Sequence, residues 1–413
     1  MRTVGRHERQ SSREVVRHER SGNRAAEQPG GRAAIANTPK DEKGFSMRTY
    51  VFPGQGSQRK GMGGSLFDEF EDLTRAADSI LGYSVKTLCL EDPQGLLNQT
   101  EYTQPALYVV NALSYYRKLR ESGEVPDFVA GHSLGEFNAL LAAECFDFET
   151  GLRLVKKRGE LMAQASGGGM AAVLNASEKE IRTVLEQNGL TSVDLANYNT
   201  PSQIVISGLV EDIKAAQPHF QTGNHLFVAL NTSGAFHSRY MEPARAEFEE
   251  FLAGIPFSEL RIPVVSNVTG RPYENDLVKE NLAKQIVSSV RWTDTVEHLL
   301  GYEGMEFEEI GHGDVLTKLV KKIRREIPNP VRHSAPAARP RPAVAAKPRQ
   351  SAAELVRRWN DAYPVGTLVK STTGDYGNLQ TATEATVLFG HRPAVYMNGY
   401  RGYFDLTEIE PIN

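Results

Sequence analysis

Val129-Ala130-Gly131-His132-Ser133-Leu134-Gly135-Glu136-Phe137-Asn138-Ala139-Leu140-Leu141-Ala142-Ala143 is the stretch on which the reading of this chain turns. A short apolar run ends in Gly-x-Ser-x-Gly and passes into a helical pattern, the strand, sharp turn and helix of a nucleophile elbow. In such a turn the glycines let strand and helix approach closely. The serine is held in a strained conformation with Oγ exposed, and the next backbone N–H is open to an oxyanion. Ser133 is therefore the candidate nucleophile, and the N–H beside it belongs to Leu134. Taken alone, the pentapeptide also fits an ordinary glycine-rich strand-to-helix turn.

On either side of the elbow, from Met47 to about Pro330, strand-like runs (Tyr50-Val51-Phe52, Asp127 to Ala130, Gln203 to Ile206, Pro263 to Val265) alternate with longer amphipathic patterns such as Leu107 to Leu119. That alternation predicts an α/β domain over 47–330 with a largely parallel sheet. Within it, about 170–232 reads strand, helix, strand, strand, helix, strand, the order of an inserted ferredoxin-like subdomain. Gly167-Gly168-Gly169 would be the hinge into it. Residues 1–46 are rich in Arg, Glu, Ser and Gly and poor in large apolar side chains, so they are expected to form a disordered leader. Pro, Ala and Arg dominate 331–350, an extended linker. Beyond it, 351–413 reads as a helix followed by short β runs between Gly and Asp turns, a small SH3-like β-barrel.

Length and composition bound the function. A chain of 413 residues with 40% hydrophobic content can bury a substantial core in more than one folded unit. A net charge of −4 gives no bulk attraction to nucleic acid or to an anionic membrane. Cys89 and Cys145 lie far apart, without the spacing of a disulfide framework or a zinc site. With no hydrophobic signal and no long apolar span, a cytoplasmic protein is expected.

A nucleophilic serine needs a base, an oxyanion hole and a means of selecting its acyl group. Phe52-Pro53-Gly54-Gln55-Gly56-Ser57-Gln58 follows the first strand and reads most simply as a tight turn; it lacks the Lys-Ser/Thr ending of a phosphate loop. At the carboxyl end of a parallel strand, however, it would lie beside the elbow, where such sheets bind ligands. This segment, Thr103-Gln104-Pro105-Ala106, the elbow, Gly234-Ala235-Phe236-His237-Ser238 and Ser266-Asn267-Val268-Thr269-Gly270 occur in that order. Together they resemble the malonyl-CoA:acyl-carrier-protein transacylase family over roughly 47–327. The members most similar are the free-standing, trans-acting acyltransferases of polyketide synthases.

The resemblance implies an α/β-hydrolase-like large domain and assigns roles. Ser133 would be malonylated, and His237 would be its base, oriented by a backbone carbonyl near Arg291-Trp292 with no acidic third member. The backbone N–H groups of Gln55 and Leu134 would form the oxyanion hole. Arg158 would bind the malonyl carboxylate, although Lys156-Lys157-Arg158 alone reads as a solvated basic face. Phe236 would crowd out α-branched acyl groups. His132 would shape the elbow. His312 and Arg291 depart from the pattern of many relatives, which carry Pro and Gln there. The implied substrate is malonyl-CoA and the implied partner an acyl carrier protein or a carrier domain of a polyketide synthase, with no metal and no cofactor. Alternatives on the same residues are a fatty-acid-synthesis malonyl transacylase and a proofreading acyl hydrolase. An assembly protein whose working part is the C-terminal barrel is a third.

Overall fold

Strands β1 (Arg48–Phe52) and β2 (Phe128–Gly131) are apolar and, apart from Arg48, buried along their length, the pattern of strands covered on both faces of a parallel sheet. They pair in parallel, with Tyr50 opposite Val129 and Phe52 opposite Gly131. The structure, a computed structural model, describes residues 47–334 and, between 352 and 412, all but 373, 375, 389–391 and 401. The expectations for 1–46 and for 335–350 fall outside the described residues.

Among the described residues, eight strands lie between 47 and 334. They are β1, β2, β3 (Gly168–Leu174), β4 (Asp194–Thr200), β5 (Gln203–Leu209), β6 (Leu226–Ala229), β7 (Val264–Val265) and β8 (Glu306–Glu309). The large sheet has the order β7-β2-β1-β8 and every pairing in it is parallel. The sheet is therefore part of a mixed α/β fold, as expected, but one of its strands is Glu306-Phe307-Glu308-Glu309, whose composition gave no strand signal. Its carboxylates are used locally: Glu309 accepts the N–H groups of Leu316 and Thr317 at the start of the helix Val315–Glu326.

The elbow helix, Gly135–Ala142, starts where β2 ends and is wholly buried. Two glycines make this possible. A Cβ on Gly131 would come within 1.9 Å of the Gly135 backbone, and one on Gly135 within 2.0 Å of the Phe52 carbonyl oxygen. Because backbone cannot yield as a side-chain tip can, Gly135→Ala is expected to cost at least the ~1–3 kcal/mol of ordinary core overpacking. Gly254→Ala, where a Cβ meets nothing, serves as the neutral control. Thermal unfolding of the two variants checks this.

Between 168 and 229 a second sheet of order β4-β5-β3-β6 is antiparallel throughout. Alternation along β3 serves two cores. Ala171 and Val173 join Ile181, Ile206 and Phe220 beneath the helices Glu178–Gln187 and Val210–Phe220, while Met170 and Ala172 belong to the core of the large sheet. Backbone bonds from Tyr198 N–H to the Val290 carbonyl and from Val290 N–H to the Ala196 carbonyl tie β4 to the segment that leads into the helix Trp292–Leu300.

After the helix Ala352–Ala362 come β9 (Leu368–Ser371), β10 (Leu379–Gln380), β11 (Thr386–Leu388), β12 (Arg392–Tyr396), β13 (Tyr403–Asp405) and β14 (Ile409–Pro411). They form two antiparallel three-stranded sheets, β10-β9-β14 and β11-β12-β13, around Trp359, Val369, Val395 and Ile409. Arg392 reaches Glu144 at 2.6 Å, just past the end of the elbow helix remote from Ser133.

Candidate active site

Ser133 lies at φ +51° and His237 at φ +59°, so both sit in the left-handed region that side chains other than glycine rarely adopt. The strain at Ser133 was expected of an elbow; that at His237 was not. The Oγ of Ser133 lies 2.7 Å from Nε2 of His237. On the far side of the ring, Nδ1 faces the carbonyl oxygens of Gln285 at 2.9 Å and Ser288 at 3.2 Å. Two acceptors there fix the tautomer: Nδ1 carries the proton and Nε2 is left to accept from the serine hydroxyl. Burial, and next to it the positive charge of Arg158, hold the imidazole down to a pKa of about 3, so it is a neutral acceptor at physiological pH.

The sequence reading expected one orienting carbonyl from the segment near Arg291-Trp292; Ser288 in that segment supplies one, and the shorter contact comes from Gln285, a turn earlier. Arg291 itself pairs with Asp294 and lies over the Tyr198 ring. His312 accepts from Nε of Arg59.

Arg158 is 1% exposed, on the helix Phe148–Ala163, which excludes the solvated basic face. Its Nη2 donates to Ser133 Oγ at 3.1 Å and to Gln285 Oε1 at 2.8 Å, and its Nη1 to Gln104 Oε1 at 2.6 Å. Among the described residues no carboxylate forms an ion pair with it, and its buried Nε has no acceptor. Burial lowers its pKa to about 10, against the pull of Glu136, and the group stays a cation.

The turn after β1 reaches the elbow as expected. A Cβ on Gly54 would lie 2.3 Å from the His132 carbonyl oxygen and 3.6 Å from the Leu134 nitrogen, so the Gly54-Gln55 backbone runs beside that amide. The Gln55 side chain points elsewhere, donating to Thr100 Oγ1 at 3.3 Å. His132 bonds Asn199 Oδ1 through Nε2 at 2.9 Å and thereby links the elbow to β4. Phe236 is buried in the main core beside His237, with its ring over Gly234.

Three polar residues in this site carried no role in the sequence reading. Asn267 accepts the Ser133 N–H at 2.7 Å and donates to the Gly131 carbonyl at 2.6 Å, pinning the elbow from both sides of the serine. Gln285 donates to the Ser133 carbonyl at 2.9 Å while its Oε1 holds Arg158. Glu136, wholly buried, receives the Asn267 N–H, the Tyr273 hydroxyl and the Gln285 amide. Each had a signal. Gln285 occupies the same helix face as Val278 and Leu282, and Glu136 interrupts an apolar run.

A cleft of about 830 Å³ runs between Leu185, Asp194 and Leu195 on one side and Val268, Val287 and Ser289 on the other, and reaches His237. A buried neutral base, a strained serine, a guanidinium at the nucleophile and the Leu134 amide that follows it in the chain form a site equipped for acyl transfer to and from a hydroxyl.

Residues 49–365 match the model of the acyl transferase domain. The chain belongs to the acyl transferase domain family. It is 57% identical over 282 residues to the polyketide biosynthesis malonyl CoA-acyl carrier protein transacylase PksC of Bacillus subtilis, a match that covers 68% of this chain and 98% of that protein. Among solved structures it is similar to a malonyl CoA-acyl carrier protein transacylase from Burkholderia pseudomallei, with 55% identity and a TM-score of 0.67 over 71% of this chain and 100% of the other. It also resembles a malonyl-transacylase solved in complex with its type II PKS acyl-carrier protein, with 34% identity and a TM-score of 0.63 over 68% of this chain and 94% of that one.

Proposed function

We propose that this acyl transferase moves malonyl from malonyl-CoA, through an ester on Ser133, to the phosphopantetheine thiol of an acyl carrier protein, acting in trans for polyketide biosynthesis. The observation that carries the reading is Arg158: a buried cation 3.1 Å from the nucleophile, with no carboxylate among the described residues in an ion pair with it. A guanidinium so placed suits the free carboxylate of a dicarboxylic acyl group. A hydrolase that strips simple acyl groups has no use for it. Similarity to PksC favours the polyketide over the fatty-acid setting.

The steps follow from the geometry. The hydroxyl of Ser133 loses its proton to His237 Nε2 as Oγ attacks the thioester carbonyl. The amides of Gln55 and Leu134 receive the oxyanion, each worth ~3 kcal/mol, or 10²–10³ in rate. The C–S bond breaks, and His237 returns the proton to the departing CoA sulfur. A carrier thiol then enters the cleft, gives its proton to His237 and takes the malonyl group, restoring Ser133. No metal and no redox cofactor take part. Phe236 beside the base limits branching at the acyl α-carbon.

The strand order β6-β3-β5-β4 supports reading 170–232 as an inserted ferredoxin-like subdomain within a 47–330 α/β-hydrolase-like domain, and the two C-terminal sheets support an SH3-like barrel over 351–413. There Tyr376 and Tyr400, 48% and 44% exposed, meet the ring of Phe404 edge to face. No described helix is long and apolar enough to cross a membrane, and a cytoplasmic place accords with that.

Intact-protein mass after brief incubation with malonyl-CoA tests the reading. A single malonyl adduct that leaves quantitatively on addition of holo carrier protein is expected. An adduct lost to water at the same rate with or without the carrier would replace it with the hydrolase.

A further inference from the structure

The positive charge of Arg158 feels the carboxylate of Glu136, which does not touch it. The Arg158 Nη2 donates to Gln285 Oε1, and the other end of the same amide donates to Glu136. An amide can serve both only in one orientation, so Glu136 determines which end of Gln285 faces the arginine. Glu136 is itself wholly buried, and the donors converging on it, Asn267 N–H, Tyr273 O–H and Gln285 NH2, favour its ionised form. Arg158, Gln285 and Glu136 thus form a buried relay in which an amide separates the cation from the carboxylate.

We propose that Glu136 is the counter-charge of Arg158 and takes up one proton from water when the acyl carboxylate arrives, so that a dicarboxylic acyl group enters with a proton and a monocarboxylic one without. The inference rests on the malonyl reading of Arg158. Two buried anions cannot share one cation without penalty, and protonating the one that does not touch the guanidinium removes the conflict. The proton has a place. Tyr273, which meets both Glu136 and the side chain of Ser266, can turn its hydroxyl toward Ser266 and accept from the new carboxyl O–H.

The charged and titratable groups facing this carboxyl are Arg158 across Gln285, Tyr273 with Cys145 behind it, and, beyond Ser133, His237 and His132. Burial raises Glu136 to a pKa of about 7, against the donors and the Arg158 charge that lower it. His237 is held far below that, His132 is lowered, and Tyr273 and Cys145 are raised, all mainly by burial; Arg158 lies near 10. Between pH 7 and 8.5 Glu136 is therefore the group poised to change charge.

The sign follows from linkage. A carboxylate bound at Arg158 raises the Glu136 pKa further, so protons are taken up on binding. Affinity for malonyl is level below the free-enzyme pKa and falls above it, approaching tenfold per pH unit while the uptake is complete.

Titration calorimetry of Ser133→Ala with malonyl-CoA, in two buffers of different ionisation enthalpy, counts the protons, and CoA itself serves as the reference that cancels its phosphate ionisation. Uptake approaching one proton at pH 8, fading by pH 6, is expected in the difference between malonyl-CoA and CoA. In the Ser133→Ala/Glu136→Gln double variant it should vanish at every pH. No uptake at pH 8 with Glu136 present, or the same uptake without it, would overturn the proposal. Should Glu136→Gln not fold, the pH series with Glu136 present decides alone. If malonyl-CoA binds no more tightly than CoA at any pH, the malonyl reading itself fails, a result distinct from tight binding without a proton.

Discussion

Replacing His237 with alanine will slow formation of the acyl-enzyme by about 10²–10⁴-fold, the usual contribution of a positioned general base, while Ser133→Ala will abolish the covalent adduct. The expectation rests on a single hydrogen bond whose direction is fixed. With Nδ1 committed to the carbonyls of Gln285 and Ser288, the Ser133 hydroxyl can only donate to Nε2. Because burial holds the imidazole near pKa 3, its protonation does not limit the free enzyme anywhere near neutrality. Wild-type kcat/KM for malonyl-CoA should therefore lack the acid limb near pH 6.5 that an unperturbed histidine base produces. Single-turnover acylation followed by quenched mass measurement checks both variants, and a pH series on the wild type checks the base. An acid limb at pH 6–7 that disappears on perturbing His237 would mean that the imidazole titrates as an ordinary surface histidine and that the buried network does not tune it.

How much of this was legible beforehand depends on how each residue is specified. The elbow could be read from five residues because its geometry needs glycine at two fixed places, and the clashes a Cβ would cause at Gly131 and Gly135 show why. The strands and helices between 168 and 229 were legible because alternation along β3 and β5 and the helix after Ser177, with its reciprocal Ser177–Glu180 cap, are local signals. Strand β8 was not, since its place beside β1 comes from backbone pairing and its glutamates work as caps and ion pairs at the rim. Arg158 stood in a run of cations that local reasoning sends to solvent, and resemblance alone put it in the pocket. Gln285, Asn267 and Glu136 act on neighbours between 127 and 152 positions away in sequence. No local motif encodes such contacts; the trace they leave is a polar residue in a position whose period calls for an apolar one.

Arg158→Ala should separate binding of the acyl carboxylate from chemistry at the serine. Removing one partner of a buried, hydrogen-bonded charge pair costs roughly 2–5 kcal/mol, or about 30- to several-thousand-fold in kcat/KM, for an acyl group that carries a carboxylate. An acetyl donor has no such partner to lose. It should be slowed little or accelerated, because deleting the guanidinium also withdraws a positive charge that depresses His237, making the base stronger. The scaffold should tolerate the change. Without Arg158 the Glu136 carboxyl has no cation to sustain its charge and rests protonated, so no uncompensated buried ion remains. A panel of malonyl-, acetyl- and longer acyl-CoA donors, read as initial rates of loading on wild type and variant, measures the switch in preference. Equal losses for malonyl and acetyl would instead make Arg158 a support for Ser133 Oγ, which it also touches at 3.1 Å, and would remove the basis for assigning a dicarboxylic substrate.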